Sequence, residues 1–181
     1  MLVFLTEEPS MATLLDGLLP RLFPDLSFRS VPHEGKNDLK RSAPRKLRAW
    51  GTEARFIVLI DNDGGDCIAR KQEIAKLCAD AGRPDTLVRI VCQELEAWYL
   101  GAPAALAAAF QAPKLASIGK KSKFRDPDAL AKPSVELARL LPSFQKVAGA
   151  RAMAATLEKT GNASASYNAL LAGVERLLAA A

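Results

Sequence analysis

The segment Phe56-Ile57-Val58-Leu59-Ile60-Asp61-Asn62-Asp63-Gly64-Gly65-Asp66 constrains the fold more than any other. Five consecutive large apolar residues are too few for a helix and too uniformly apolar for a half-exposed strand, so they predict a central strand buried on both faces. Three carboxylates follow at once. Burying an unpaired carboxylate is costly and crowding two raises the pKa of one, so acids on alternate residues at a strand end share a cation or face water. Parallel α/β sheets bind ligands just beyond the carboxyl ends of their strands, which makes this end the candidate site.

The pattern recurs along the chain. Leu2-Val3-Phe4-Leu5 predicts a first strand running into Thr6-Glu7-Glu8-Pro9-Ser10. Leu14, Leu15, Leu18, Leu19 and Leu22 then repeat at helical spacing, with Pro20 and Pro24 expected to close that helix. Ser27 to Val31 reads as a second strand, followed by the polar loop Pro32-His33-Glu34-Gly35-Lys36-Asn37-Asp38. A glycine stands beside a lysine there, but the GxxxxGK[ST] frame of a P-loop is missing. The basic segment 36–55 contains Lys40, Arg41, Arg45, Lys46 and Arg48, and Pro44 is expected to interrupt any helix within it, with Leu47 and Trp50 on the buried side.

After the central strand, Cys67 to Ala81 reads as a helix capped by Asp66, with Ile68, Ile74, Leu77 and Cys78 facing inward. Leu87 to Cys92 predicts a fourth strand that leads into Glu94 and Glu96. Three apolar strands thus end in acid, at Glu7/Glu8, Asp61/Asp63 and Glu94/Glu96, and parallel pairing would bring those ends to one edge. Strand alternation would turn Asp61 and Asp63 toward the same side. Glu94 and Glu96 also suit the positive end of the helix that follows them.

The expected architecture is a Rossmann-like α/β domain: a central, mostly parallel sheet of about four strands flanked by helices, with a helical C-terminal extension. Residues 1–112 form the α/β core. Residues 113–181 form a basic loop and helices packed on it as one domain, with helices over 133–141, 149–159 and 166–180. Lys114, Lys120, Lys121, Lys123 and Arg125 precede any acid, with Gly119 and Ser122 among them, the composition of a mobile loop that folds over a phosphate backbone. The rival reading is a solvated linker.

Composition narrows the chemistry. The 181 residues carry 25 Lys+Arg against 20 Asp+Glu, a net charge of +5 that suits an anionic partner without demanding one. Cys67, Cys78 and Cys92 are an odd set without a CxxC pair, and His33 is the sole histidine, so neither a disulfide framework nor a histidine-rich metal site is expected. Nothing reads as a signal peptide or membrane span, so a cytoplasmic protein with no membrane partner is expected, alone, as a homodimer or with a partner protein. Hard dications take oxygen ligands, and two unit charges about 4 Å apart repel by roughly 4 kcal/mol at an effective dielectric near 20, a repulsion that Mg2+ or Mn2+ between them reverses.

Thr6-Glu7-Glu8-Pro9-Ser10, His33-Glu34-Gly35-Lys36, Leu59-Ile60-Asp61-Asn62-Asp63-Gly64 and Arg89-Ile90-Val91-Cys92-Gln93-Glu94-Leu95-Glu96-Ala97-Trp98 resemble the bacterial family DUF4276 over nearly the whole chain. That family is similar to TOPRIM-type domains, the fold shared by type IA and II topoisomerases, bacterial primases and nucleases of the old-phage defence type. The resemblance implies a glutamate after the first strand, here Glu7, as acid/base or metal ligand, and Asp61 and Asp63 as Mg2+ ligands. The glutamate-glycine turn of TOPRIM is absent, since Glu8 and Pro9 follow Glu7, and Glu8 competes with Glu7 for the role. A topoisomerase needs a nucleophilic tyrosine on a large separate domain, and this chain offers only Tyr99 and Tyr167; a primase needs a zinc module that its Cys/His inventory cannot build.

The reading that fits is a small Mg2+-dependent nuclease acting on DNA or RNA, as in phage defence. Glu7, Asp61, Asp63 and Glu96 would serve the metal, Glu7 would position or deprotonate water, and Lys36 with Lys120, Lys121, Lys123 and Arg125 would hold phosphate. One alternative keeps the fold without chemistry, as a nucleic-acid or protein interaction module. Another is a receiver-like phosphoacceptor, because Glu7/Glu8, Asp61 and Lys132-Pro133 mimic the receiver order, although Cys92 stands where receivers want Ser or Thr.

Overall fold

The computed structural model describes residues 1–51 and 53–180; Thr52, inside the basic segment, and Ala181, at the end of the C-terminal extension, lie outside them. Four strands, β1 (Leu2–Thr6), β2 (Phe28–Pro32), β3 (Arg55–Asp61) and β4 (Leu87–Val91), pair in parallel in the order β2-β1-β3-β4. The α/β expectation therefore holds, and the sheet is parallel throughout. The fully apolar runs became the two central strands, because only a strand covered on both faces can bury every residue. β1 is buried at all five positions, whereas the edge strand β2 has none buried.

Between the strands run α1 (Pro9–Leu22), α2 (Lys36–Ala49) and α3 (Cys67–Asp80). The pleat sorts side chains to two cores. Val3, Leu5, Val58 and Ile60 meet Leu39, Ala43 and Leu47 of α2 and Ile74 and Cys78 of α3 on one face. Leu2, Phe4, Ile57 and Leu59 meet α1 and the C-terminal region on the other. That region comprises α4 (Glu96–Leu100), α5 (Pro103–Ala109), α6 (Pro133–Leu140), α7 (Lys146–Ala154) and α8 (Ala165–Ala179). Among the described residues, no helix is long and apolar enough to cross a membrane.

Pro44 does not interrupt α2, nor does Pro20 end α1. An interior proline costs a helix about 3 kcal/mol. In α2 the fully buried seam of Leu39, Ala43 and Leu47, spaced four apart, outweighs that cost. Ile68 does not point inward either: it is 70% exposed in the first turn of α3, and Leu77 is only half-buried. The stretch 113–129 is a series of 3-10 turns, Pro113–Lys120, Ser122–Phe124 and Pro127–Ala129, rather than an open loop, because Leu115, Ile118 and Phe124 are buried and tie it down.

Sheet order places the candidate site. From β1 the chain moves outward to β2 on one side, and β3 lies on the other, so the connections after β1 and β3 diverge above the sheet's carboxyl edge, the topological switch point where open α/β sheets bind ligands. Glu7 follows β1 and Asp61 ends β3.

Candidate acidic site at the switch point

Asp61 is the last residue of β3 and only 6% exposed; its backbone N–H donates to Glu7 Oε2 at 2.9 Å, so the first acidic strand end is tied to the second. The Oδ1 of Asp61 is buried without a hydrogen-bond partner. Burial, reinforced by the charges of Glu7, Glu8 and Glu96, holds its carboxyl well above the ordinary aspartate value. Burial likewise raises Glu7, with the Asp61 N–H and the Lys36 ammonium pulling it back in part.

The short helix α4 contributes two side chains. Glu96 is 3% exposed, its Oε2 has no partner, and burial raises its pKa. Tyr99, one turn on, is fully buried with an unpartnered hydroxyl that burial and the charges of Glu96, Glu8 and Asp61 hold in its neutral form. Residues three apart share a helix face, which is why both act on the same site.

Two ammonium groups flank these acids. Lys36, the first residue of α2, forms an ion pair with Asp63 and feels the charges of Glu7 and Asp61, while burial lowers its pKa. Lys146, at the start of α7, donates to Glu8 Oε2 at 3.0 Å. Burial works against its charge, but Glu8, Glu96 and Asp61 outweigh that and leave its pKa raised. Lys146 arrives because α7 packs on α1, where Gly17 lets the helices approach so closely that a Cβ there would lie 2.8 Å from the Ala154 Cβ.

The structure thus gathers Glu7, Glu8, Asp61, Glu96 and Lys36, and it separates others. Asp63 does not continue the strand. It occupies a tight turn, φ 47, before Gly64 at φ 76, with Gly65 N–H donating to the Asn62 carbonyl at 2.8 Å, so strand alternation does not set its direction. Its carboxylate lies at the exposed rim, held by Lys36. Glu94 caps α6 instead, accepting from the Ser134 N–H at 2.7 Å. Asp66 caps α3 through the Ile68 and Ala69 N–H groups, as the sequence implied. Lys120, Lys121, Lys123 and Arg125 are exposed on the 3-10 segment, none hydrogen-bonded to the acidic site, and Lys123 is paired with Glu136 at 2.5 Å. Lys132 stands exposed at the cap of α6, and a lysine whose charge reaches Asp61 is Lys146.

Lys146 and Tyr99 belong to the site and were not anticipated. Tyr99 at three residues from Glu96 was a readable signal once α4 was recognised, whereas Lys146 has no local signature. His33 is buried, bonds the Thr6 carbonyl through Nδ1 at 2.8 Å and leaves Nε2 without a partner, and burial lowers its pKa.

Among the described residues, no group of three or more His, Cys, Asp and Glu side chains is already arranged to hold a metal ion. The donor chemistry nonetheless fits a hard dication, since Asp61 and Glu96 each present a buried oxygen without a partner and the charge of Glu96 adds to the rise at Asp61.

These shifts fix a pH dependence. The unfolded chain releases the Asp61, Glu7 and Glu96 protons near pH 4, whereas the folded chain holds them to higher pH, so their contribution to stability is full below that range and is lost as pH rises toward the folded values. In EDTA, the melting temperature of Asp61→Asn is expected to coincide with that of wild type near pH 4 and to exceed it increasingly toward pH 7. A gap that does not change with pH would contradict the raised Asp61 value.

No curated protein and no solved structure matches the chain. A family model described as a domain of unknown function (DUF4276) matches residues 6–175, a span that includes Glu7, Lys36, Asp61, Asp63, Glu96 and Lys146, and the chain therefore belongs to the DUF4276 family.

Proposed function

We propose that the protein is a Mg2+- or Mn2+-dependent phosphodiesterase of TOPRIM type that hydrolyses DNA or RNA, a nuclease of the kind used in phage defence. One observation carries this reading: Asp61 and Glu96, buried and unpartnered, stand with Glu7 at the switch point between two flanking ammonium groups. Glu7, Asp61 and Glu96, with Asp63 at the rim, would hold the cation. Bound there, it would offset the crowded negative charge and supply Lewis-acid activation of a phosphoryl oxygen and of water. Glu7, oriented by the Asp61 N–H on its Oε2, would accept a proton from water. Lys36 exchanges Asp63 for a substrate phosphate oxygen, with the Asp63 carboxylate, whose side chain is 45% exposed, released to water at the rim.

Incubation of labelled duplex DNA, single-stranded DNA and RNA tests this reading. Cleavage is expected in Mg2+ or Mn2+, none in EDTA, and none from Asp61→Ala or Glu7→Gln. Full activity in both variants would refute it. The second reading, a module that keeps the fold without chemistry, is favoured by the lack of a ready-made carboxylate cage among the described residues. Binding of nucleic acid or protein without turnover in any divalent cation would select it.

A further inference from the structure

Basic charge on this chain is concentrated on one helix that starts at the acidic site. In its fourteen residues α2 carries Lys36, Lys40, Arg41, Arg45, Lys46 and Arg48 against the single acid Asp38, a net of +5. Lys36 at its first position is the residue that touches Asp63 and faces Glu7 and Asp61. Arg41, Arg45 and Arg48 follow at spacings of four and three, which aligns them on one stripe opposite the buried Leu39-Ala43-Leu47 seam. All three are exposed. Arg41 is held only by Asp38, at 3.2 Å with its own side chain 82% exposed, and among the described residues neither Arg45 nor Arg48 has an ion-pair partner.

The other basic stretch, 114–125, is less suited. Lys123 is neutralised by Glu136, Asp126 and Asp128 follow directly, and no hydrogen bond links it to the acidic site. Exposed aromatic rings, on which unstacked bases would lie, are missing from the exposed large apolar side chains among the described residues. A straight row of guanidinium groups on a rigid helix suits the regular phosphates of a duplex instead, because arginine's planar fork pairs with phosphate. From Arg41 to Arg48 the helix advances about 10 Å, close to three base steps of about 3.4 Å.

We propose that the Arg41-Arg45-Arg48 stripe of α2 is the track on which the phosphate backbone of a double-stranded nucleic acid lies, on the outer face of the helix whose first residue, Lys36, meets the acidic site. The inference rests on the phosphodiesterase reading for its direction, but its test does not require cleavage. Binding of a labelled 20-base-pair duplex is measured by fluorescence anisotropy in EDTA across a salt series, for wild type, for Arg41→Gln/Arg45→Gln/Arg48→Gln and for Lys120→Gln/Lys121→Gln/Lys123→Gln. The α2 variant is expected to lose roughly tenfold or more in affinity and to show a log-log salt slope shallower by about 3, near 0.9 per released phosphate contact. The lysine variant is expected to follow wild type. The track is overturned if the α2 variant binds as wild type does, if the lysine variant suffers the larger loss, or if wild type ignores the duplex and binds vesicles of anionic lipid instead. Hydrolysis of bis(p-nitrophenyl) phosphate by wild type in Mg2+ is scored separately: binding lost in the α2 variant by a protein that never hydrolyses either ester upholds the track and refutes only the nuclease reading.

Discussion

Asp61→Asn in metal-free buffer at pH 7.5 is expected to melt above wild type, by about 2 to 8 °C if the relief of a destabilised site is worth the usual ~1 to 2 kcal/mol of a stabilising substitution, while losing all detectable Mg2+-dependent cleavage. The two effects have one cause. In the free protein the Asp61 carboxyl is buried, leaves Oδ1 without a partner and stands among Glu7, Glu8 and Glu96. An asparagine keeps the volume, removes the charge and offers N–H donors to the neighbouring carboxylates. What stabilises the free fold thus removes the charge that would hold a dication, the trade expected of a strained functional site. Added Mg2+ should narrow the difference by raising the wild type alone. A variant that melts at or below wild type across the pH range would place Asp61 in an ordinary structural role.

Trp98→Ala is expected to cost about 3 to 5 kcal/mol, much or all of the stability of a domain of this size. Trp98 is fully buried at the junction of sheet and C-terminal helices. Its indole N–H donates to Ser166 Oγ at 2.8 Å, its carbonyl accepts from Asn162 Nδ2 at 2.9 Å, and its ring meets that of Tyr167 edge-on with centroids 5.4 Å apart. Ser166 is itself held by Asp128, whose Oδ2 accepts the Ser166 N–H at 2.8 Å, so removing the indole opens a cavity where α4, α8 and the 3-10 segment meet. Because α4 also carries Glu96 and Tyr99, the acidic site should loosen with it. Chemical denaturation checks this: Trp98→Phe, which preserves most of the volume, should recover most of the loss, whereas a loss under about 1 kcal/mol in Trp98→Ala would show that this junction is not tightly packed.

The strands and the acids that end them were legible because a strand buried on both faces has an unmistakable composition, and parallel pairing then fixes where its end lies. Asp66 was legible as a cap for a similarly local reason. Pro44 misled because the burial that rescues its helix, the Leu39-Ala43-Leu47 seam, depends on the sheet beneath. Asp63 misled although its signal was present: Asp63-Gly64 is a turn pair, and the turn takes precedence over strand alternation. Glu94 caps a helix forty residues further on, and Lys146 reaches Glu8 across 138 residues, so neither partnership leaves a mark on neighbouring sequence. Local chemistry was readable; the partners that tertiary packing supplies were not.

The most direct test of a dication held at the switch point is Mn2+ binding to the wild-type protein and to Asp61→Asn and Asp63→Asn, followed by electron paramagnetic resonance of the free ion. Saturable binding by wild type, abolished in Asp61→Asn and only weakened in Asp63→Asn, is the predicted result. Failure of wild type to bind Mn2+ at millimolar concentrations, or equal binding by Asp61→Asn, would contradict it.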